Sequence, residues 1–357
     1  MNVIRDLAAG LLAADMDAML ITSDVSLAYI TGMPGIEGVA FVTKDEKAYC
    51  FTDSRYIESA RDIVTQRGFD VSTVEGNNYF RHINQLCELF NIKVLGFEDA
   101  YMTVSEHSRA CEVFDPMLAA ASFVLKNLRS HKTPVEAEYI KKAQRIAEEA
   151  FDTLLGEIRP GATENIYRAR LEYLMTVKGS EMPAFNTILI SGSKTSMPHG
   201  VPGDNIIQKG DFITFDFGAT VNGYRSDMTR TVAVGQPTEE MKKVYDIVLN
   251  ANLAAIEKAN IGMPLKDVDA AARNVITKSG YGQYFGHSTG HGVGIEIHEA
   301  PSVSTRSKDN IENGHIITIE PGIYLPGKFG VRIEDMLYFH SGNKINLTEY
   351  TKNLIIL

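Results

Sequence analysis

One stretch of sixteen residues, 215–230, constrains the fold more than any other part of the sequence. It reads FDFGATVNGYRSDMTR, and the dipeptide Asn222-Gly223 stands between its two apolar runs. Asn-Gly is the strongest short signal of a two-residue β-hairpin turn. A turn at this dipeptide sets the register of the two strands so that Asp216 faces Thr229. The stretch therefore predicts an antiparallel hairpin that carries a carboxylate in apolar surroundings.

A second carboxylate shares the face of Asp216. Asp227 lies two residues from Thr229, and residues two apart in a strand point to the same side of the sheet. The two aspartates are then diagonal neighbours, about 7–8 Å apart. Unpaired carboxylates on one face repel each other, and two cations held ~3.5–4 Å apart would remove that repulsion. Two solvent-facing aspartates beside a turn are the alternative, which this stretch alone leaves open.

Further along the chain, histidines cluster in a glycine-rich stretch, FGHSTGHGVGIEIHEAP. His287, His291 and His298 are three of the nine histidines in the protein. A single histidine is most often a hydrogen-bonded polar residue, but neutral imidazole is also the commonest nitrogen ligand of divalent transition metals. Glycine lets the backbone approach a ligand closely. The cluster therefore favours a binding site over three unrelated polar residues.

Two glutamates complete the set of candidate ligands. Glu320 in IITIEPGIY and Glu334 in GVRIEDMLYF lie within β-branched runs, so we expect both in buried strands. Arg332 precedes Glu334 by two residues and shares its side of the strand, so a buried Arg–Glu pair is the alternative. Two aspartates, one histidine and two glutamates on β-strands suit two manganese, cobalt, iron or zinc ions.

The length of 357 residues predicts two domains. Residues 1–128 alternate helical and strand patterns, which is typical of an α/β layer with mixed strands. Residues 129–357 open with a helix start at Thr133-Pro134, because proline fits the first turn and Glu136 suits the positive end of the helix. Two rounds of helix pair and strands follow, which indicates an internal duplication. The predicted class is α+β.

Composition excludes several other classes of protein. The net charge of −10 argues against nucleic acid as a partner. Three dispersed cysteines suit a reducing cytoplasm and form no cysteine metal motif. The apolar residues near the N-terminus recur at helical spacing and are followed by acids, so we expect an amphipathic helix there, not a signal peptide. No run approaches the ~18 apolar residues of a membrane span. We expect a cytoplasmic protein with no membrane partner.

The ordered motifs FDFG…RSDMTR, GHSTGHGVGIEIHE, TIEPGIY and VRIED resemble those of the aminopeptidase P/prolidase family, the Xaa-Pro peptidases of the pita-bread fold. TDSRY and GFED nearer the N-terminus resemble its creatinase-like N-terminal domain. The resemblance implies a creatinase-like domain over 1–128 and a pita-bread catalytic domain with an internal pseudo-twofold repeat over 129–357. It also implies five ligands for two divalent ions, manganese above cobalt, zinc or iron: Asp216, Asp227, His291, Glu320 and Glu334.

The same resemblance implies roles for the remaining polar residues. His199 is similar to a histidine on the substrate side, and His287 and Arg332 match positions that line the substrate pocket. His298 is expected to donate a hydrogen bond to the tetrahedral intermediate. Glu320 is expected to take a proton from the attacking water and pass it to the leaving proline nitrogen.

The function implied is an exopeptidase that cleaves the Xaa-Pro bond at the N-terminus of peptides whose second residue is proline. A prolidase, restricted to Xaa-Pro dipeptides, is the alternative. Methionine aminopeptidase shares the fold but is disfavoured by the N-terminal domain, and creatinase is disfavoured by the complete ligand set. A non-catalytic binding protein of the same fold is expected to lack ligands. Resemblance further implies a homodimer. Ser288 and Ala300 depart from common family residues but are small enough to leave the site intact.

Overall fold

The computed structural model describes residues 2–74 and 78–357. Its contacts divide it into two compact units, with the boundary between Arg129 and Ser130. Each unit has its own sheets and its own buried apolar cluster.

The N-terminal unit is built on one mixed sheet flanked by helices. Its helices are α1 (Val3–Ala13), α2 (Asp24–Thr31), α3 (Ile57–Ile63), α4 (Tyr79–Leu89), α5 (Val104–Val113) and α6 (Ser122–Ser130). Its strands are β1 (Ala18–Ile21), β2 (Gly38–Thr43), β3 (Ala48–Thr52), β4 (Asp70–Thr73), β5 (Val94–Phe97) and β6 (Met117–Ala120). They pair in the order β4-β3-β2-β1-β5-β6, with antiparallel pairs at β1–β2 and β2–β3 and parallel pairs elsewhere. The predicted mixed α/β layer is confirmed.

The sequence pattern does not indicate two strands and one helix boundary of this unit. The edge strands β4 and β6 are short and largely exposed, so they carry no alternating apolar pattern. The residues from Ser54 onward have a helical pattern, but helix α3 begins only at Ile57. The Asp53 carboxylate accepts a hydrogen bond from the backbone N–H of Arg55 at 2.8 Å, which holds the preceding residues in a turn.

The C-terminal unit opens on a helix whose start matches the prediction. The Thr133 hydroxyl and the Glu136 side chain form a reciprocal capping box, and Pro134 occupies the first turn. The helices of this unit are α7 (Pro134–Leu155), α8 (Glu164–Val177), α9 (Glu239–Lys258) and α10 (Leu265–Lys278).

The strands of the C-terminal unit form several small antiparallel sheets. They are β7 (Ile188–Ser191), β8 (Phe212–Phe217), β9 (Thr220–Val221), β10 (Tyr224–Arg225), β11 (Met228–Ala233), β12 (Gly290–Gly292), β13 (Glu299–Val303), β14 (Ile316–Ile319), β15 (Gly322–Leu325), β16 (Phe329–Arg332), β17 (Asp335–His340) and β18 (Asn343–Asn346). The larger sheets have the orders β11-β8-β7 and β13-β12-β14-β17-β18.

Two apolar clusters hold the helices of this unit against its strands. One contains Phe151 of α7 and Phe215 of β8, whose rings lie 5.1 Å apart. The other contains Val248 of α9, Ala272 of α10 and Leu337 of β17. The strands that contain or adjoin the candidate metal ligands are therefore backed by packed helices. The internal pseudo-twofold repeat stays a prediction.

Candidate metal centre

The hairpin around Asn222-Gly223 has the predicted register. Thr229 pairs with Asp216, and the turn residues Asn222 and Gly223 both have positive φ, 49° and 75°. Positive φ at both positions is the geometry that a two-residue type I′ hairpin turn requires. Asp227 directly precedes β11, two residues before Thr229. The prediction for this stretch is confirmed.

Side chains from separate segments converge beside this hairpin. One ligand atom each of Asp227, His291 and Glu334 lie within 4.8 Å of one another. Glu320 joins them, with its Oε1 3.4 Å from Nε2 of His291. The convergence therefore draws on four stretches that are distant in sequence.

The two glutamates lie just outside strands, not within them as predicted. Glu320 directly follows β14, and Glu334 lies between β16 and β17. Their backbone N–H groups donate to carbonyl oxygens of other segments, Glu320 to Thr289 at 2.7 Å and Glu334 to Thr229 at 3.1 Å. Because of these hydrogen bonds to other segments, Glu320 and Glu334 do not continue the strand pairing of their neighbours.

The protonation pattern of His291 fits a metal ligand. Its Nδ1 lies 3.0 Å from the carbonyl oxygen of Gly292, so Nδ1 carries the proton and Nε2 presents a lone pair. That lone pair faces Oδ2 of Asp227 at 3.6 Å and Oε1 of Glu320 at 3.4 Å. A lone pair and two ionised carboxylate oxygens repel one another unless a cation or a proton lies among them.

One carboxylate oxygen of this group lacks the partner that a buried charge requires. Oδ1 of Asp227 is buried and has no hydrogen-bond partner among the described residues. Burial and then the charge of Glu334 raise the pKa of Asp227 well above its usual range. Burial and then the charge of Glu320 do the same to the pKa of Glu334. Burial raises the pKa of Glu320 to about 8. The donor set of carboxylates and one imidazole therefore fits a divalent cation.

Asp216 is held by a buried arginine. Arg332 donates from Nη2 to Oδ2 of Asp216 at 2.5 Å, and the two side chains are only 4% and 15% exposed. The guanidinium also donates to the hydroxyls of Thr229 and Tyr324 and to the carbonyl oxygen of Pro198. Arg332 thus orients a candidate ligand, and its expected role in lining a substrate pocket stays a prediction.

Tyr324 and Thr229 are site residues that the sequence argument passed over. Tyr324 lies in the quoted motif TIEPGIY, and its hydroxyl lies 2.9 Å from Nε2 of His287. The Thr229 hydroxyl donates to Oε2 of Glu334 at 2.8 Å. For Thr229, the predicted pairing with Asp216 could have indicated its place in the site. Hydroxyls on strands are too common to be selected without the fold.

The other predicted histidines differ in exposure. His287 is partly buried, and burial lowers its pKa to about 4. His298 is exposed, with its ring centroid 4.4 Å from that of His291. His199 is exposed on the loop between β7 and β8. Burial lowers the pKa of His298, Asp216 opposes that shift, and His199 contributes to it. His199 and His298 thus lie within electrostatic reach of each other.

A second group of potential ligands in this unit has the opposite protonation pattern. One ligand atom each of His131, Glu312 and His315 lie within 4.8 Å of one another. The backbone N–H of Glu312 donates to Nδ1 of His315 at 3.1 Å, so Nδ1 is the acceptor and the proton of the neutral ring lies on Nε2. The Nε2 atom of His131 lies 3.0 Å from a carboxylate oxygen of Glu312. Hydrogen bonds within this group account for Nδ1 of His315 and Nε2 of His131, so we assign no metal ion to it.

A two-unit fold with a buried carboxylate and histidine centre defines a class of metal-dependent hydrolases. Residues 138–341 match the model of metallopeptidase family M24, and residues 4–131 match the creatinase/prolidase N-terminal domain. The chain belongs to metallopeptidase family M24, with the pita-bread catalytic domain preceded by a creatinase-like domain, as the sequence motifs predict. The family is one of enzymes that use divalent metal ions.

Several known proteins are similar over almost the whole chain. The Xaa-Pro dipeptidase of Pyrococcus horikoshii is 36% identical over 346 residues, 95% of this chain and 95% of that protein. A solved structure described as an Xaa-Pro dipeptidase from Bacillus anthracis is 39% identical, with a TM-score of 0.95 and coverage of 99% of each chain. An X-Pro aminopeptidase from Thermotoga maritima is 34% identical, with a TM-score of 0.90 and coverage of 98% of this chain and 100% of that one.

No helix in the described part of the chain combines the length and the apolar character that a membrane crossing requires.

Proposed function

We propose that this metallopeptidase hydrolyses the bond between a first residue and proline, with Xaa-Pro dipeptides as its principal substrates. The observation that carries the metal-dependent hydrolysis is the convergence of Asp227, His291 and Glu334 within 4.8 Å, together with the buried Oδ1 of Asp227, which has no hydrogen-bond partner in the described part of the chain. The names of the similar proteins from Pyrococcus horikoshii and Bacillus anthracis support the dipeptide specificity.

Five residues would hold the metal: Asp216, Asp227, His291, Glu320 and Glu334. Two divalent ions, with manganese as the expected metal, account for a ligand set with four carboxylates and one imidazole. When bound, such ions supply Lewis-acid activation of water and of the substrate carbonyl. The proton on Nδ1 of His291, which the carbonyl of Gly292 accepts at 3.0 Å, keeps Nε2 directed at the centre.

Proton transfer is the task of Glu320. Its carboxylate lies at the edge of the centre, 3.4 Å from His291, and its side chain is 17% exposed, so it can reach both a water and a bound substrate. It takes the proton of the attacking water and delivers it to the leaving proline nitrogen. His298, whose ring is adjacent to His291 and exposed, donates a hydrogen bond to the developing oxyanion.

Recognition of the substrate involves the remaining polar residues of the site. The free amino group of the substrate binds beside Asp216. Proline lacks an N–H and has a fixed φ, so it requires a shaped pocket, which we assign to the side of the site near His199, His287 and Arg332. The carbonyl of Pro198 accepts a hydrogen bond from Arg332 at 3.2 Å, which connects the loop of His199 to the metal centre.

An Xaa-Pro aminopeptidase acting on longer peptides is the second candidate. The sequence motifs alone placed it first, and the similar enzyme from Thermotoga maritima favours it. The two candidates share the chemistry and differ in whether peptide may extend beyond the proline.

One experiment separates these candidates. Hydrolysis of an Xaa-Pro dipeptide is compared with that of the Xaa-Pro-Xaa tripeptide with the same first residue, each with added manganese and each with a chelator. We expect manganese-dependent cleavage with the higher kcat/KM on the dipeptide. Faster cleavage of the tripeptide would establish the aminopeptidase, and cleavage of neither would contradict both. Manganese as the native metal, a homodimeric state and a cytoplasmic location stay predictions.

A further inference from the structure

A buried carboxylate that is not among the candidate ligands organises the loop that carries His199. Glu164 lies in the first turn of α8, and its side chain is completely buried. The loop in question leaves β7 at Ser191 and returns to β8 at Phe212. Burying a carboxylate costs several kcal/mol unless its oxygens are well paired. Packing alone therefore does not explain a buried glutamate at this position.

The oxygens of Glu164 accept hydrogen bonds from both sides of His199 in the loop. On the near side they accept from the N–H of Ser191 at 2.8 Å and from Nζ of Lys194 at 2.7 Å. On the far side they accept from the N–H of Gly203 at 3.0 Å and from Nδ2 of Asn205 at 3.1 Å. One carboxylate therefore fixes the two ends of the segment that contains His199.

The middle of the same loop is attached to the strand that leads to the metal centre. The N–H of Gly330 donates to the hydroxyl of Thr195 at 2.8 Å. Arg332 donates to the carbonyl of Pro198, the residue before His199, at 3.2 Å. The loop is thus held at its base by Glu164 and near its tip by β16, so a change at the base can displace His199 relative to the centre.

We propose that Glu164 is a positioning residue for substrate binding, acting through the loop that presents His199. The proposal rests on the proposed function in one respect, the contact of His199 with the substrate. Glu164 makes no hydrogen bond or ion pair with a candidate ligand in the part of the chain that the structure describes. Its contribution is to hold an exposed imidazole, which has no strand or helix of its own, in the place where the substrate arrives. Misplacement of such a group by about 1 Å can cost on the order of 100-fold in rate.

A double-mutant cycle tests whether Glu164 acts through His199. Glu164→Gln keeps the size of the side chain but replaces an accepting oxygen by an NH₂ group, which cannot accept from Lys194 or Gly203. We expect Glu164→Gln to lower kcat/KM for the Xaa-Pro dipeptide by at least about 10-fold, mostly through KM, and by less than about 2-fold in the His199→Ala background. If the losses of kcat/KM caused by the two substitutions multiply in the double variant, Glu164 does not act through His199 and the proposal is wrong.

Glu172→Gln is the matched control. Glu172 lies on the same helix, α8, and pairs with Arg168 at 2.7 Å without contact to the loop. This variant should retain the kcat/KM of the unmodified protein. If Glu164→Gln fails to fold, Asn205→Ala takes its place in the same cycle. Asn205 is exposed, and this substitution removes a single donor to Glu164. We expect a smaller loss of kcat/KM, again reduced in the His199→Ala background.

A second measurement requires no catalysis. Trypsin can cleave after Lys194 only when the loop opens, and Lys194 is paired with Glu164 in the closed loop. We expect faster cleavage after Lys194 in Glu164→Gln than in Glu172→Gln at an unchanged melting temperature. Equal cleavage would overturn the positioning role even if the dipeptidase activity is present. An inactive unmodified protein with the expected difference in cleavage would contradict only the proposed function.

Discussion

Arg332 and Asp216 form a buried ion pair at 2.5 Å, and this pair orients the carboxylate of Asp216, which we propose as a metal ligand. The guanidinium makes further hydrogen bonds to Thr229, Tyr324 and Pro198 at 3.0, 2.9 and 3.2 Å. Because a planar guanidinium offers five donors in a rigid fork, one residue can orient a ligand, a strand hydroxyl and a loop together. Preorganisation of Asp216 follows from this arrangement.

Replacement of Arg332 by lysine should weaken metal binding. A lysine ammonium is a single point of charge and cannot reproduce the fork of contacts, so Asp216 would lose its fixed orientation. We expect Arg332→Lys to lower the affinity for manganese by about 10- to 100-fold, measured by competition with a chromophoric chelator. Arg170→Lys, which alters a partly exposed pair with Glu157, should leave the affinity unchanged. Equal affinities in the two variants would show that the pair is dispensable.

Asp227→Asn should have opposite effects on stability and on activity. The carboxyl group of Asp227 is buried among other acids, so its ionisation is unfavourable in the folded metal-free protein, and asparagine removes this titrating group. We expect the melting temperature of the metal-free variant to rise, while manganese no longer raises it and activity falls by at least about 100-fold. A lower melting temperature in the metal-free state would contradict the buried repulsion on which the metal assignment depends.

Glu320→Gln should separate proton transfer from folding. The amide keeps the shape of the side chain but cannot take a proton from water, so kcat should fall by at least about 100-fold. The circular dichroism spectrum should match that of the unmodified protein. Glu240→Gln, on an exposed pair with Lys328, serves as the control and should retain full activity. A near-normal kcat for Glu320→Gln would refute its role as general base and acid.

Metal removal should lower the stability of the fold more as the pH rises. The pKa values of Asp227, Glu320 and Glu334 are raised in the folded metal-free protein, chiefly by burial. The folded state then holds protons that the unfolded state releases, so the free energy of unfolding of the metal-free protein falls as pH rises above the unfolded pKa of about 4. Manganese binds the ionised carboxylates and offsets this loss.

The measurement is the melting temperature with manganese and with a chelator across the pH range. We expect the difference between the two to be larger at about pH 7.5 than at about pH 5.5. A difference that stays constant with pH would mean that the carboxylates are already ionised in the metal-free fold.

The hairpin shows what local sequence can specify. Asn222-Gly223 requires positive φ at both residues, and this turn alone sets the pairing of Asp216 with Thr229. The start of α7 is equally local, since the capping box of Thr133 and Glu136 lies within four residues. The exposed edge strands β4 and β6 were not predicted, because strands of that kind bury too little to leave a pattern.

The candidate ligands could be selected from residue type and motif, because a metal centre restricts which side chains can serve. Their convergence was decided only by tertiary structure. Asp227 and Glu334 are more than a hundred residues apart, and they meet because Glu334 bonds through its backbone to Thr229 at 3.1 Å. The supports supplied by Arg332, Tyr324 and Glu164 also depend on contacts between distant segments. Hydrogen bonds and ion pairs of this kind have no period in the sequence, so only the folded chain determines them.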